Sequence, residues 1–110
     1  MTRAIEIEVS SGNVLADIGL SDPEERLAKA DLAIRIGAAI RARRLTNVHA
    51  ARILKIDQPK ISRLLRGQLS GFSTGRLMRF LTLLGQDIEI VVKRAPRSRR
   101  QGHVRVVATA

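Results

Sequence analysis

The sequence predicts a mainly α-helical fold of about four helices, with a short β-strand near each end of the chain. In the middle of the chain, apolar residues recur at helical spacing, and a Ser, Thr or Asp that can cap a helix precedes these stretches. Near both ends, apolar and charged residues alternate, which is typical of short strands. The 110 residues are 45% hydrophobic and 2% aromatic, so we expect one core built from Leu, Ile, Val and Ala.

The stretch around which the chain is organised, residues 47–67, is predicted to form two short helices joined by a tight turn. Asp57 can cap the second helix and Pro59 fits only in a first helical turn, so this helix should start at about Gln58. This spacing is that of a helix-turn-helix, although an ordinary helical hairpin with a solvated basic face would share it. The apolar residues expected to pack inward or fill the turn are Ala50, Ala51, Leu54, Ile56, Ile61, Leu64 and Leu65.

The outward side of that second helix carries polar and basic residues that do not belong in a core. Such side chains can contact base edges and backbone phosphates of duplex DNA. The net charge of the chain is +10, which also points to a polyanionic partner. The outward residues are Gln58, Lys60, Ser62, Arg63 and Arg66.

A long helix is predicted before this motif. Ser21 and Pro23 form a helix start with acids beside them, and the helix should run to about Arg44. Basic residues near its end either complement the negative end of the helix dipole or contact phosphate. The residues expected to face inward are Ala30, Ala33, Ile34, Gly37, Ala38, Ile40 and Arg41.

Caps and a stop signal define the remaining helices. Thr46 should cap the first helix of the motif, which leaves Asn47 pointing outward. After a glycine-containing loop, Ser73 or Thr74 should cap a last helix that Gly85 ends. The apolar residues that this helix adds to the core are Leu77, Phe80, Leu81 and Leu84.

Both ends of the chain contain predicted strands. Alternation predicts strands at about 5–9, at 87–93 and at 104–107. Because a lone two-stranded hairpin is marginally stable, we expect the C-terminal strands to pair across a two-fold axis or with the N-terminal strand. The arginine-rich stretch 94–100 is either an arm that contacts phosphate or a soluble connector.

Charge and turn residues divide the chain into three parts. They are an acidic N-terminal arm at 1–20, a helix-turn-helix DNA-binding domain at 21–86, and a C-terminal strand and basic segment at 87–110. Residues 1–25 hold six acids and one base, whereas the other 85 residues hold nineteen bases and four acids. An acidic arm on a basic body indicates two different binding tasks. The arm either lies on its own domain or a dimer mate, or grips another protein.

The sequence contains no recognisable catalytic machinery. Cysteine is absent, and only His49 and His103 can act as bases at neutral pH. No pair of acids has a diagnostic spacing, and the glycines form no phosphate-binding loop. We expect a protein that is not an enzyme and needs no cofactor or metal. No apolar run approaches the roughly 20 residues of a membrane span, and a signal peptide is not evident, so we expect a soluble cytoplasmic protein.

The chain resembles a family of small regulators in several motifs. The stretch LTNVHAARILKIDQPKISRLLRG at 45–67 resembles the helix-turn-helix of the xenobiotic-response-element (XRE), or Cro/cI-like, family. The flanking motifs SSGNVLADIGL at 10–20, LSGFSTGRL at 69–77 and LGQDIEIVV at 84–92 are similar to antitoxin-type regulators of the HigA kind. The resemblance implies a λ-repressor-like homodimer, with its terminal strands used in dimerisation, that binds an inverted-repeat operator in double-stranded DNA. It further implies the antitoxin of a type II toxin-antitoxin pair, which neutralises a RelE/HigB-like mRNA-cleaving toxin and represses its own operon.

The resemblance also implies roles for individual residues. Two departures from the family pattern are Lys55, where the turn usually has Gly, and His49, where Glu is common. The residues expected to contact bases are Gln58, Lys60, Ser62 and Arg63. The residues expected to contact phosphates are Thr46, Asn47, Arg52 and Arg66.

Three other functions are compatible with the sequence. One is a stand-alone XRE-family repressor without a toxin partner. Another is a protein-interaction module that uses its basic face for an acidic partner and reads no DNA. A binder of single-stranded RNA is a more distant alternative, because the chain lacks the aromatic residues on which bases stack.

Overall fold

The computed structural model describes residues 3–5 and 21–108. Over these residues the chain forms four helices: α1 (Asp22–Ala42), α2 (Asn47–Leu54), α3 (Gln58–Leu65) and α4 (Thr74–Leu83). Two short strands, β1 (Arg3–Ile5) and β2 (Ile90–Val92), flank them. The predicted mainly helical fold with four helices is therefore confirmed. The N-terminal arm at 6–20, with the remainder of its predicted strand, lies outside the described residues.

Each helix is directly preceded by a capping residue that was predicted from the sequence. The side-chain oxygens of Ser21, Thr46, Asp57 and Ser73 each accept a hydrogen bond from the backbone N–H three residues later. These bonds satisfy N–H groups that have no partner inside the helix. Of the two candidate caps for the last helix, Ser73 is the residue that caps it. The helix starts therefore depend on contacts within a single turn of chain.

The core lies where the four helices meet. The helices α1, α3 and α4 each contribute large side chains to it. The largest fully buried side chains are Ile36, Ile61, Leu64, Leu77 and Leu84. The two phenylalanines, Phe72 and Phe80, are also buried and pack edge to face with their ring centroids 6.1 Å apart. Over the described residues the core is thus mainly aliphatic, as expected, but its buried members are Leu, Ile and Ala without valine, and they include the aromatic pair.

The inward face predicted for α1 is partly wrong. Three of its members (Ala33, Gly37 and Ile40) are buried, whereas Ile34 is 60% exposed. Apolar residues are distributed almost all round this helix, so its sequence does not define one apolar stripe, and packing against α4 and α3 decides which face is buried. The other members that are exposed are Ala30, Ala38 and Arg41. The buried residues that replace them are Ala28, Leu32, Ile36 and Ala39.

The ends of the helices differ slightly from the prediction. The helix α1 ends at Ala42 rather than Arg44, because Arg44 has a φ of 54° that no α-helix accommodates. Gly85, with a φ of 87°, follows the end of α4 as predicted. Among the described residues, no helix is both long enough and apolar enough to span a membrane.

The two strands pair with each other inside one chain. They run antiparallel, with Arg3 opposite Val92 and Ile5 opposite Ile90. Of the two pairings expected for the 87–93 strand, the one with the N-terminal strand is the one observed. Use of these strands in dimerisation stays a prediction.

The strand predicted at 104–107 is wrong. The N–H of Val104 donates to the Glu24 carboxylate instead of to a strand, and Val106 packs half-buried against the core. Alternating apolar residues form a strand only where a neighbouring backbone is free to pair. Here the neighbouring element is the start of α1, which accepts the Val104 N–H with the Glu24 side chain and not with a strand backbone.

Candidate nucleic-acid interface

The turn between α2 and α3 depends on one residue in a left-handed conformation. Lys55 ends α2 with φ 58° and ψ 42°, and its N–H donates to the Ala51 carbonyl. The next N–H, from Ile56, donates to the same carbonyl at 3.0 Å, and the Ile56 side chain packs half-buried against the core. The chain therefore makes a tight turn in which Lys55 adopts the left-handed geometry that glycine adopts most readily.

The helix α3 is held to the body of the protein through its inner face. Ile61 is 0% exposed and Leu64 is 1% exposed, while Ala50 and Ala51 on α2 are buried beneath them. At the start of α3, the Asp57 carboxylate accepts the Lys60 N–H at 2.9 Å. Packing and capping together fix the orientation of the short helix, as the sequence predicts.

The outer face of α3 presents the residues predicted to contact bases. Gln58 and Arg63 are exposed, and Lys60 and Ser62 are half-buried. Lys60 and Arg63 are three residues apart, so they lie on adjacent positions of one helix face. The structure therefore leaves all four side chains accessible from outside the protein.

One residue predicted to pack inward does not do so completely. Leu65 is 39% exposed, whereas its neighbour Leu64 is buried. Successive residues of a helix point about 100° apart, so a position next to the buried stripe comes to lie at its edge.

The residues predicted to contact phosphates lie at the ends of the same two helices. Thr46 and Asn47 are exposed at the start of α2, where the Thr46 hydroxyl oxygen accepts the His49 N–H at 3.2 Å. Arg52 is exposed near the end of α2, and Arg66 is exposed just after α3. A helix start presents N–H groups and a positive dipole end, both of which favour a phosphate.

The positive charge of this surface is not neutralised by side chains within residues 21–108. Over that range, the ion pair present is that of Lys29 and Glu25 on α1, at 3.4 Å. The cations of α2 and α3 form none there. Within the same described residues, no three His, Asp or Glu side chains converge on a metal site. The surface is therefore suited to an anion, and its acidic residue, Asp57, is engaged as a cap.

Arg76 is a feature of this region that was not predicted from the sequence. Its guanidinium carbon lies 5.5 Å from the ring centroids of both Phe72 and Phe80. Such cation–π contacts restrict the side chain near the loop that follows α3. A local signal was present in the sequence, because Arg76 and Phe80 are four residues apart on α4 and Phe72 directly precedes the cap of that helix.

Comparisons with known proteins agree with this geometry. A family profile described as a helix-turn-helix domain matches residues 14–93. A solved structure described as an XRE-family transcriptional regulator superposes with a TM-score of 0.76 and is 46% identical in sequence. That match covers 81% of this chain and 100% of the other. No curated protein sequence matches the chain. Since the helix-turn-helix profile spans well over half of the chain, and the XRE-family structure is 46% identical and covered over its full length, the chain belongs to the XRE family of helix-turn-helix transcriptional regulators.

Proposed function

We propose that the chain is a sequence-specific repressor that binds an inverted-repeat operator as a homodimer. The observation that carries this proposal is the combination of a buried inner face of α3, formed by Ile61 and Leu64, with an exposed outer face bearing Gln58 and Arg63. A helix held in this way can enter a major groove without losing its orientation. In the dimer, two copies of α3 would lie about 34 Å apart, which is one turn of duplex DNA.

The side chains on α3 have defined tasks in this mechanism. Gln58 is suited to a bidentate contact with adenine, and Arg63 or Lys60 to one with guanine, each contributing about 1–3 kcal/mol of discrimination. Ser62 can bond to either type of base edge. Thr46, Asn47, Arg52 and Arg66 would bind phosphates and set the register of the protein on the duplex.

A pair of substitutions tests this division of labour. Arg63→Ala should weaken binding to the promoter of the chain's own gene far more than binding to random duplex DNA, because Arg63 contacts bases. Arg66→Ala should weaken both by a similar factor, because phosphates are present in every sequence. The measurement is a gel shift or anisotropy titration on both duplexes, with thermal unfolding as the folding control. Equal losses on the two duplexes for Arg63→Ala would remove its base-reading role.

We further propose that this repressor is the antitoxin of a type II toxin-antitoxin pair. Its motifs at 10–20, 69–77 and 84–92 resemble antitoxins of the HigA kind, and its acidic arm at 1–20 has a charge that suits a basic partner. In this role it would neutralise a RelE/HigB-like mRNA-cleaving toxin and repress its own operon from the cytoplasm. Neither task requires an active site or a cofactor in this chain.

Co-expression with the adjacent gene tests the toxin partner. We expect that gene to encode a short basic protein that co-purifies with this chain and is toxic when expressed without it. An adjacent gene whose product neither co-purifies nor inhibits growth would leave a stand-alone repressor of the same fold.

A further inference from the structure

The C-terminal segment concentrates positive charge away from the helix-turn-helix. Six cations lie between residues 93 and 105, and after Glu89 the chain contains no acid. This segment, the basic loop, therefore carries six positive charges of a chain whose net charge is +10. Its cations are Lys93, Arg94, Arg97, Arg99, Arg100 and Arg105.

The basic loop is attached to the folded domain at both ends. It leaves the domain at β2, which pairs with β1. It returns at Val104, whose N–H donates to the Glu24 carboxylate of α1 at 3.0 Å, and at Val106, which packs against the core. That hydrogen bond, with a second from the Ser21 hydroxyl, holds the pKa of Glu24 below its ordinary value. The basic loop is thus a surface of the domain and not a free tail.

The conformation of the basic loop keeps its cations together and available. The Arg99 N–H donates to the Pro96 carbonyl at 3.0 Å, which closes a turn around Arg97. Arg94, Arg97 and Arg100 are exposed, and Arg99 is half-buried. Among the residues that the structure describes, none of the cations of the loop forms an ion pair. The charge is therefore concentrated by the fold and left without compensation from these residues.

The side chains of the basic loop are better suited to phosphate groups than to other ligands. Five of its six cations are arginines, whose guanidinium groups bind phosphate oxygens in pairs. The loop contains no aromatic residue, so it offers no platform on which unpaired bases would stack. It also lacks the large apolar face that inserts into a lipid surface. A duplex backbone, with its closely spaced phosphates, matches these properties best.

We propose that the basic loop binds backbone phosphates of duplex DNA outside the base pairs contacted by α3, and so extends the footprint of the protein on its operator. This inference rests on the proposed function, because it assumes that the domain is already bound to a duplex. The loop adds affinity that is independent of sequence. It leaves base preference to Gln58 and Arg63.

The test compares two lengths of duplex and two matched variants. One variant replaces Arg94, Arg97, Arg99 and Arg100 with Gln, and the other replaces the same four with Lys. Each protein is titrated, between about 50 and 200 mM salt, against its footprinted operator alone and against the operator with about one helical turn of flanking DNA on each side. A further control, Arg26→Gln with Arg35→Gln, removes two exposed charges from α1 and reports the effect of net charge alone.

For the wild-type protein, the flanks should raise affinity and steepen its dependence on salt. The Gln variant should lose that gain, and its slope of log affinity against log salt should fall by about 0.9 for each phosphate that it no longer neutralises. The Lys variant should keep most of the affinity that the flanking DNA adds. The α1 control should keep the wild-type difference in affinity between the two duplexes. Preference for operator over random DNA should be the same in all four proteins.

A Gln variant with the wild-type slope and the wild-type gain from the flanks would overturn the proposal. So would a Gln variant that keeps full DNA binding but no longer co-purifies with the product of the adjacent gene, since the loop would then serve a protein partner. Failure of the proposed function looks different, because the wild-type protein would then not prefer its promoter to random duplex. Thermal unfolding checks that the variants fold, and if the fourfold variant does not, Arg97→Gln and Arg100→Gln are measured singly for the same change in slope.

Discussion

At the scale of single residues, the turn of the helix-turn-helix depends on a left-handed backbone at Lys55. A residue with a Cβ atom adopts this conformation at a cost of roughly 1 kcal/mol, whereas glycine adopts it without steric penalty. The hydrogen bonds to the Ala51 carbonyl and the packing of Ile56 compensate for this cost. The turn is thus maintained by its surroundings and not by the preference of its central residue.

Replacing Lys55 with glycine should therefore stabilise the protein. We expect the free energy of unfolding of Lys55→Gly to exceed that of Lys55→Ala by about 0.5–1 kcal/mol, since both lose the charge and only one loses the Cβ atom. Urea denaturation of the two variants and the wild type measures the difference. If the alanine variant were as stable as the glycine variant, the left-handed conformation would carry no cost here.

At the scale of elements, α3 is a helix of eight residues that would not be stable in isolation. It is positioned by the Asp57 cap at its start and by Ile61 and Leu64 along its inner face. Every residue proposed to contact bases depends on these three attachments. The rigidity of the proposed DNA-reading surface is therefore a property of the core beneath it.

Two adjacent leucines near the end of α3 provide a matched test of this dependence. Leu64→Ala should lower the free energy of unfolding by about 2–5 kcal/mol, because a fully buried side chain is replaced by a cavity. Leu65→Ala should cost roughly 1 kcal/mol, because its side chain is already partly hydrated. Denaturant unfolding distinguishes them. Similar losses for the two would mean that Leu65 is buried in solution, for example by a second copy of the chain.

At the scale of the whole molecule, residues far apart in the sequence attach both ends of the chain to the helical domain. The strands β1 and β2 pair across nearly the full length of the chain, and Glu24 joins the start of α1 to Val104. The basic loop, which follows β2 and includes Val104, is held in place by these contacts. Its position thus depends on the domain and not on its own sequence.

The Glu24 contact should make the attachment of this segment depend on pH. Hydrogen bonds from Val104 and Ser21, with the nearby charge of His103, lower the pKa of Glu24 below its ordinary 4.5. A carboxyl with a depressed pKa in the folded state contributes stability above its unfolded pKa, and this contribution is lost as the pH falls through the folded pKa. We therefore expect the protection of the Val104 amide against exchange, measured relative to its intrinsic rate at each pH, to fall as the pH drops below 4.5, beyond the trend of other amides.

Substitution of Glu24 supplies the control for that measurement. In Glu24→Gln, exchange at Val104 should already be faster at neutral pH, and its additional dependence on acid should disappear. Asp22→Asn changes the same charge in the same helical turn, away from Val104, and should retain the wild-type behaviour. An unchanged pH profile in Glu24→Gln would show that another group holds the segment.

The candidate site was predictable because its signals are local. The cap at Asp57, the proline in the first turn and the inward positions Ile61 and Leu64 all lie within eight residues, so their geometry follows from helical spacing. Arg76 shows that a local signal can be overlooked, since its two phenylalanine partners are each four residues away. The Glu24 contact gave no signal, because its partner lies 80 residues further along the chain.

The sequence by itself determined where the helices start, which residues form the helix-turn-helix and which side of α3 is polar. These properties depend on hydrogen bonds and periodicities that span one or two turns of chain. Tertiary structure alone decided which side of α1 is buried, that the 87–93 strand pairs with the N-terminal strand, and that the segment at 104–107 binds α1 instead of forming a strand. In each of these cases several local solutions have similar free energy, and the outcome depends on a distant surface that packs against the segment.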